Sequence, residues 1–477
     1  MKNLAMLTDL YEFTMANGYD AVAKDKQGIF DVFFRQIPDN GSFVINAGVQ
    51  QVIETVQNLH FNDEDIKYLQ SLQIFSADFL DYLKDFQFNC SITAIPEGTP
   101  VFPREPVMTV RGPLIQTQLL ETFILNILNH QSLIATKARR ITFAAEHKPV
   151  MEFGARRAQG PDSAVYGARA AVIGGCTSTS NILAAQMFDI PAAGTMAHAW
   201  VESFPDELTA FRKWAEIYPD NASFLIDTYD VLNSGVPNAI TVFKELSQNG
   251  QTVKGGIRID SGDITQLTKK TRQALDEAGL PQIKITVSNA LDEEVIQSLL
   301  NEGAPIDNFG VGEKLITSAS SPVLSGVYKL AAVVEDGQLI PKIKVSANRG
   351  KLTLPGIKKT YRLYYPQTHQ AFADVIALED EEITNRLTVV DSNPVSITKP
   401  IQLSDFEAVE LSQPIFLNKQ VQQLETDVFQ IQQHCREQLT HLPKATLRIV
   451  NPDAYPVYIT TKLAQLQTDL VNQNLKN

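Results

Sequence analysis

Residues 224–260 read FLIDTYDVLNSGVPNAITVFKELSQNGQTVKGGIRID. A short apolar run, FLID, is followed by an Asn-Ser-Gly turn, by a helical pattern over residues 236–247 and by a second apolar run, GGIRID. A strand, a helix and a second strand within roughly 30 residues have the size of a βα unit. The two apolar runs end in Asp227 and Asp260, so acidic side chains are predicted at the carboxyl ends of parallel strands.

The same alternation extends on both sides of this unit, from residue 149 onward. The other apolar runs are VMEF, IPAAGT, IKITVS, NFGVG and, after a longer gap, GVYKLAAVV, with helical patterns over 205–217, 264–278 and 292–301. Polar or glycine residues end these runs too: Glu152, Thr195, Ser288 with Asn289, and Gly310 with Gly312. Since active-site groups of α/β barrels stand at the carboxyl ends of the strands, the pattern predicts a catalytic α/β barrel.

The flanking regions have a different pattern. Thr8 and Asp9 predict the start of a first helix, and the strand-like runs IFDVFFR and FVINA around Pro38, Asn40 and Gly41 indicate a hairpin. Further helices are predicted over 49–59, 63–72, 77–86, 114–129 and 132–146, and strands over 92–95 and 107–110. Beyond residue 345, strand and turn patterns run to 391, and a Gln-rich helix is predicted over 419–439.

Three parts are therefore expected in a chain of 477 residues, which is too long for one ordinary core. They are an α/β N-terminal domain over 1–138, the barrel over 139–346, and a C-terminal region over 347–477 that packs back on the N-terminal domain.

Composition limits the partners. The 41 basic and 54 acidic residues give a net charge of −13, which argues against binding to a nucleic-acid backbone or an anionic membrane. Cys90, Cys176 and Cys435 form no CxxC pair, so neither a disulfide framework nor a thiolate zinc site is indicated. The start, MKNLAMLTDLYEF, lacks the apolar core of a signal peptide, and no apolar run is long enough to span a membrane. We expect a cytoplasmic protein.

The groups suited to an anionic substrate are concentrated between residues 152 and 204. Arg156 and Arg157 can bind carboxylate or phosphate, the hydroxyls of 177–180 can hold oxygens, and His198 can accept a proton or a phosphoryl group. Each also has a plain structural explanation, as a solvated arginine pair, a loop or a structural histidine. Their density on one segment favours a binding or catalytic site without naming a reaction.

Several strong signatures are absent. The chain has no GxxxxGK[ST] loop, no GxGxxG after a strand, no HExxH and no GxSxG, which argues against P-loop kinases, Rossmann dehydrogenases, zincins and α/β hydrolases. The acidic segment FLIDTYDVLNSGV is only weakly similar to the phosphoribosyl pyrophosphate loop of Rossmann-like phosphoribosyltransferases.

A set of separate motifs in order identifies a family resemblance. LTDLYEFTMA, EFGARRAQGPDS, TSTSN, FDIPAAGTMAHAW, GGIRIDSGD and GVGEKL resemble the nicotinate phosphoribosyltransferases, which are type II phosphoribosyltransferases of pyridine-nucleotide salvage. The resemblance implies an irregular α/β barrel with an α/β N-terminal domain completed by the C-terminal tail. It also implies a reaction of nicotinate with phosphoribosyl pyrophosphate, coupled to ATP hydrolysis and assisted by Mg²⁺, in homodimers with shared active sites.

Roles for the pyridine site follow from the same resemblance. Phe153 is expected to stack on the ring, Arg156 and Arg258 to lie near the base and the pyrophosphate, and Thr195 to contact the base. Tyr11 of a neighbouring subunit is expected to cover the other face of the ring.

Two further residues are assigned by resemblance. His198 is expected to become phosphorylated from ATP. Ser178 aligns with an Asp of amide-using relatives, and a carboxylate there would repel nicotinate, whereas a hydroxyl can donate to it.

The remaining roles combine the resemblance with the chemistry. Asp260 and Asp263 are candidates for the ribose hydroxyls or a hydrated Mg²⁺, and Asp227 with Asp230 is a second acidic pair that steadies the cationic sugar or orients His198. The residues expected to hold the 5′-phosphate are Gly310, Gly312 and Thr317, although a plain strand-to-helix turn explains these glycines as well.

Two alternatives stay open: a nicotinamide phosphoribosyltransferase, and a catalytically silent dimer that binds pyridine compounds. The retention of Arg156, His198, Arg258 and Asp260 argues against the silent dimer.

Overall fold

The computed structural model describes residues 3–248, 254–346, 348–395 and 399–476. The chain divides into two compact units: unit 1 comprises Met1–Leu133 and Val323–Asn477, and unit 2 comprises Ile134–Pro322. The limits of the three expected domains remain a prediction.

The helices and strands are numbered in chain order. The helices are α1 Leu10–Val22, α2 Val49–Gln57, α3 Asp63–Ser71, α4 Ala77–Lys84, α5 Leu114–Gln118, α6 Glu121–Ala144, α7 Pro161–Ile173, α8 Ile182–Phe188, α9 His198–Glu202, α10 Glu207–Ile217, α11 Val236–Gln248, α12 Ile264–Glu277, α13 Glu293–Asn301, α14 Glu313–Ile316, α15 Val428–His441 and α16 Thr461–Lys476. The strands are β1 Gln27–Phe34, β2 Val44–Ile45, β3 Ser91–Ala94, β4 Pro100–Val101, β5 Met108–Pro113, β6 Val150–Glu152, β7 Ser178–Thr179, β8 Ala222–Leu225, β9 Gly255–Ile259, β10 Lys284–Ser288, β11 Asn308–Val311, β12 Gly326–Glu335, β13 Gln338–Pro341, β14 Lys358–Tyr364, β15 Ala371–Leu378, β16 Arg386–Asp391, β17 Ile401–Ser404, β18 Glu407–Glu410, β19 Gln413–Leu417, β20 Gln420–Val421 and β21 Val457–Thr460.

Unit 2 is built on an open parallel sheet with the strand order β7-β6-β11-β10-β9-β8. The strand residues Phe224, Ile257, Val287 and Phe309 are almost fully buried, as expected for a parallel sheet whose faces are covered. Because all strands run in one direction, their carboxyl ends meet at a single edge. That edge brings together the polar residues that end the apolar runs.

Among its described residues, unit 1 contains a seven-stranded sheet, a six-stranded sheet and the two-stranded sheet β2-β4. The strand orders of the two larger sheets are β13-β12-β1-β5-β3-β19-β20 and β17-β16-β21-β15-β14-β18. A large apolar cluster of residues from α1 to α6 covers the first sheet. Between β14 and β15 of the second sheet, Arg362 and Asp374 form a fully buried ion pair at 2.7 Å. Strands from both ends of the sequence therefore share the first sheet, whereas the second sheet, in the part of the chain that the structure describes, is built only from strands between Lys358 and Thr460.

Many sequence predictions are confirmed. Helix α1 begins after Asp9, and the helices predicted over 236–247, 264–278 and 292–301 are α11, α12 and α13 within one or two residues. The carboxylate of Asp263 accepts from the Gln266 N–H and that of Asp292 from the Val295 N–H, so helix-starting acids were a reliable signal.

Three strand predictions are wrong. The run GVYKLAAVV is β12, which pairs antiparallel with β1 in unit 1 and adds nothing to the parallel sheet. IPAAGT forms only an isolated bridge between Thr179 and Ala192, and the edge strand is β7. The expected hairpin is absent, because β1 pairs with β5 and β12 while β2 pairs with β4. In each case the apolar pattern indicates a strand or core segment but does not specify its partner.

Two helix boundaries also differ from the predictions. The break predicted near residue 130 lies instead between α5 and α6, and α6 continues from Glu121 to Ala144. The Gln-rich helix predicted from residue 419 begins at Val428, after the short strands β19 and β20.

Across the described residues, none of the helices has the length and apolar character needed to cross a membrane.

Candidate active site

A cavity of about 590 Å³ opens at the carboxyl ends of the unit 2 strands. Seven of the residues singled out in the sequence line it: Phe153, Arg156, Thr195, Arg258, Asp260, Gly310 and Gly312. They lie far apart in sequence and come together because β6, β9 and β11 end at the same edge. The cavity combines an aromatic ring, guanidinium groups and a carboxylate.

The aromatic wall of the cavity rests on a glycine. A Cβ atom at Gly310 would lie 2.6 Å from Cδ2 and Cε2 of Phe153, so no side chain fits between β11 and the ring. The Phe153 N–H donates to the Val311 carbonyl at 2.8 Å, which fixes the backbone of the aromatic residue to the same strand. The face of Phe153 is thus held in position before any ligand binds.

Arg258 has an unused hydrogen-bond donor. Its Nη1 donates to Thr195 Oγ1 at 3.1 Å, while Nε is buried and has no partner in the described part of the chain. Burial lowers the pKa of the Arg258 guanidinium, Asp260 and Asp227 act to raise it, and Arg156 lowers it further. A buried guanidinium with a free donor and a second arginine nearby suits an anionic group of a substrate.

Two carboxylates are linked at the ends of β8 and β9. Asp227 Oδ2 accepts from the Asp260 N–H at 3.1 Å and from Ser261 Oγ at 2.6 Å, and Ser288 Oγ donates to Asp260 Oδ1. Asp227 Oδ1 is buried and, within the described ranges, has no hydrogen-bond partner. Such an oxygen is available to a hydroxyl, a hydrated cation or a developing positive charge.

His198 is the first residue of α9, and its Nδ1 lies 3.1 Å from Thr228 Oγ1. Asp230, proposed from the sequence as an orienting group, instead caps the next turn by accepting from the N–H groups of Leu232 and Asn233. Thr228 was missed in the sequence, although a hydroxyl residue directly after the strand-ending Asp227 was an available signal.

Seven predicted residues lie outside the cavity lining: His198, Asp227 and Asp230, whose contacts are given above, and Ser178, Asp263, Thr317 and Tyr11. Ser178 is buried in β7 beside β6, Asp263 caps α12, and Thr317 donates to the Glu313 carbonyl at 2.7 Å. Tyr11 belongs to unit 1, where its side chain is 45% exposed and close to Glu121. Their assigned roles remain predictions.

The sequence marked Glu152 and Asn289 only as polar residues that end strands, and the structure adds their contacts and conformation. The carboxylate of Glu152 accepts from Thr179 Oγ1 at 2.6 Å and from the Gly154 N–H, and burial raises its pKa. It thus joins β6, β7 and the turn after Phe153. Asn289 and Ala290 also line the cavity with left-handed φ values of 81° and 48°. Strained residues of this kind often occur at ligand sites, but no sequence pattern marks an alanine for this conformation.

No preformed metal cage is present. Among the residues that the structure describes, no three His, Cys, Asp or Glu side chains are grouped so that they could hold an ion. A Mg²⁺ ion at Asp227 and Asp260 would need further ligands from water or substrate phosphates, which is how Mg²⁺ commonly binds.

Three family models match most of the sequence. Residues 149–351 match the nicotinate phosphoribosyltransferase (NAPRTase) family, residues 6–129 match its N-terminal domain, and residues 357–467 match its C-terminal domain.

Individual relatives agree with these matches. The chain is 43% identical over 457 residues to "Nicotinate phosphoribosyltransferase" of Bacillus subtilis, covering 95% of this chain and 92% of the relative. The crystal structure of human nicotinic acid phosphoribosyltransferase superposes with a TM-score of 0.85 at 28% identity, covering 98% of this chain and 100% of the human one. A structure from Pyrococcus furiosus, described as nicotinate-nucleotide pyrophosphorylase, gives a TM-score of 0.69 at 26% identity over 92% of this chain and 95% of that one.

Proposed function

Because the chain belongs to the nicotinate phosphoribosyltransferase family, we propose that it joins nicotinate to phosphoribosyl pyrophosphate, giving nicotinate mononucleotide and pyrophosphate. The observation that carries this proposal is the cavity that Phe153 and Arg258 both line. A flat aromatic acid needs such a pair, an aromatic face for the ring and an arginine for the anion. The product feeds pyridine-nucleotide salvage.

The charges of the site fit the displacement reaction. As pyrophosphate leaves the anomeric carbon, positive charge builds on the sugar and negative charge on the leaving group. In the proposal, Asp227 and Asp260 stabilise the sugar cation, and Arg156 and Arg258, expected near both the base and the pyrophosphate, stabilise the leaving group. The 5′-phosphate would bind the backbone around Gly310 and Gly312, with Thr317 and Asp263 as further candidate contacts.

Mg²⁺ is a proposed cofactor of this site. Asp227 Oδ1 and the carboxylate of Asp260 are oxygen donors of the type that Mg²⁺ prefers, so the residues present fit a hydrated ion shared with the substrate phosphates. The ion would supply charge neutralisation for the pyrophosphate.

ATP is a proposed co-substrate, with His198 as the phosphoryl acceptor. A neutral imidazole is nucleophilic near pH 7, and the ring of His198 is partly exposed at the start of α9. Transfer of the γ-phosphoryl group breaks its bond to ADP and forms a bond to an imidazole nitrogen. Hydrolysis of phosphohistidine then returns the free side chain and phosphate.

A homodimer with shared active sites is proposed as the working form. On α1 of unit 1, Leu10 and Tyr11 are 54% and 45% exposed, so the ring of Tyr11 is open to contact from a second subunit. In the proposal, Tyr11 covers the pyridine ring opposite Phe153 of the partner subunit.

The decisive experiment measures pyrophosphate release with nicotinate or nicotinamide, each with and without ATP. Nicotinate should be turned over and ATP should stimulate the reaction, while Arg258→Ala should nearly abolish it, because this guanidinium is expected near both the base and the pyrophosphate. Equal use of nicotinamide, or no release with either base, would overturn the proposed substrate.

A further inference from the structure

Glu207 is a buried carboxylate to which the reaction described above gives no role. It is the first residue of α10, and its side chain is only 3% exposed. Its Oε2 accepts from Ser234 Oγ at 2.5 Å and from Asn238 Nδ2 at 2.9 Å, while Oε1 is buried without a partner in the described part of the chain. Burying a carboxylate is costly unless hydrogen bonds or an opposite charge compensate it, so the two donors to Oε2 are needed to keep this side chain buried.

The partners of Glu207 belong to an unusual turn. Val231–Gly235 is a π-helix, a rare conformation that often occurs at functional sites, and Asn238 lies in the first turn of α11. A Cβ at Gly235 would lie 2.0 Å from the Ile226 carbonyl oxygen, so this turn packs directly on the residue before Asp227. The π-helix therefore contacts both ends of the short loop 227–230: it begins directly after residue 230, and its last residue, Gly235, packs on Ile226 directly before residue 227.

That loop holds Thr228, which contacts His198. The helix of His198, α9, is itself attached to α10, since Trp200 Nε1 donates to the Ala210 carbonyl at 3.1 Å. Helix α10 thus anchors the histidine on one side, and through Glu207 it anchors the loop of Thr228 on the other. The distance between His198 Nδ1 and Thr228 Oγ1 depends on both attachments.

We propose that Glu207 is a positioning residue for His198, which sets the His198–Thr228 contact by holding the π-helix against α10. The inference rests on the proposed phosphorylation of His198. Through the position of His198, Glu207 would affect how strongly ATP hydrolysis is coupled to nucleotide synthesis. A misplacement of 1 Å can cost up to about 100-fold in rate, so loss of one anchor is measurable.

The test uses substitutions that fill space without accepting hydrogen bonds. Glu207→Met should lower both the rate of phosphohistidine formation from ATP and the ratio of ATP-stimulated to unstimulated synthesis, by on the order of tenfold. Glu207→Gln should restore much of the ratio, since its carbonyl oxygen can accept from Ser234 and Asn238. Glu245→Met is the matched control, because Glu245 joins the same helices through an exposed ion pair with Arg212 at 2.7 Å.

A spectroscopic measurement separates positioning from general damage. The ¹⁵N signal of His198 Nδ1, assigned by its loss in His198→Ala, should shift in Glu207→Met and stay in place in Glu245→Met. If Glu207→Met does not fold, Ser234→Ala removes one of the two hydrogen bonds and should lower the ratio in the same direction.

The contrary outcomes are distinct. The positioning role is overturned if Glu207→Met leaves the ratio of ATP-stimulated to unstimulated synthesis unchanged, which includes an equal fall in the two rates of synthesis. The proposed function would stay intact. Absence of phosphohistidine in the wild-type enzyme overturns the proposed ATP coupling and the inference with it.

Discussion

Gly310 shows how one residue without a side chain sets the geometry of the site. Because a Cβ there would meet the Phe153 ring at 2.6 Å, Gly310→Ala must displace the ring. Overpacking of this kind costs about 1–3 kcal/mol. We expect the KM for nicotinate to rise clearly more than the KM for phosphoribosyl pyrophosphate.

The control for this substitution is Gly18→Ala on α1, where nothing lies within 4 Å of the added Cβ and the substitution should leave both KM values unchanged. Steady-state kinetics measures both variants. Equal KM values in Gly310→Ala and the wild type would show that the ring is not the stacking face.

His198→Ala tests the proposed phosphoryl acceptor. Without the imidazole, ATP hydrolysis and its stimulation of synthesis should vanish, and a slow uncoupled reaction should remain. The measurement is acid-labile label transferred from γ-labelled ATP, together with product formation. Equal labelling of the variant and the wild type would remove His198 from this role.

Ser178 is the residue proposed to favour acid over amide. It is buried in β7 with 6% of its surface exposed, so an added carboxylate would be poorly solvated and would repel nicotinate. Ser178→Asp should lower kcat/KM for nicotinate by about tenfold or more and harm nicotinamide less. Ser178→Ala controls for loss of the hydroxyl, and an unchanged preference in Ser178→Asp would exclude the residue.

The sequence was informative for residues that end strands and weak for residues that support them. Asp260 and Gly310 were predictable because strand ends of a parallel sheet face the site, whereas Arg258 was assigned through the family resemblance. Thr228 and Glu207 contact other side chains, His198 in one case and Ser234 with Asn238 in the other, and such contacts depend on the packing of segments rather than on any local pattern.

At the scale of elements, Asp292 connects a helix start to the rim of the site. Its Oδ1 accepts from the Val295 N–H at 2.9 Å, and its Oδ2 pairs at 2.5 Å with Lys314, which lines the cavity. Burial acts to raise the pKa of Asp292, but hydrogen bonds from Lys314 and Val295 outweigh it and the pKa is lowered. Asp292→Ala should therefore lower the free energy of unfolding by about 1 kcal/mol at pH 7.

The pH dependence follows from the sign of this shift. A lowered carboxyl pKa stabilises the fold above the unfolded value of about 3.9, and this stabilisation is lost as the pH falls through the lower, folded value. The unfolding free energies of wild type and Asp292→Ala, measured in urea, should thus converge as the pH falls below about 3.9. Asp292→Asn keeps a capping oxygen and loses the charge, so a difference from wild type as large as that of Asp292→Ala would contradict the cap.

Helices were better predicted than strand partners. Asp263 and Asp292 mark helix starts locally and cap them with their side chains, while Asp9 precedes α1 without a side-chain cap. The partner of β12 could not be inferred, because an apolar alternating run fits a parallel barrel strand or an antiparallel neighbour of β1 equally well.

For the whole molecule, the proposed shared site predicts that two inactive variants complement each other when their subunits are mixed. Tyr11→Ala and Arg258→Ala are each expected to inactivate a homodimer. If Tyr11 acts on the partner subunit, mixing the two variants under subunit exchange gives heterodimers with one intact site of two. Recovery of activity, measured as pyrophosphate release, supports the shared site. Sites built within single chains would regain nothing.

The division of unit 1 into Met1–Leu133 and Val323–Asn477 has a consequence for synthesis on the ribosome. Strand β1 ends at Phe34, but its neighbour β12 begins only at Gly326. At roughly 5–20 residues per second, the intervening chain takes on the order of 15–60 seconds to be made. For that interval the nascent protein carries an open sheet edge beside the buried residues Phe30 and Val32. The unpaired edge of β1 is therefore most able to pair with another copy of the chain while synthesis is still under way, before release from the ribosome.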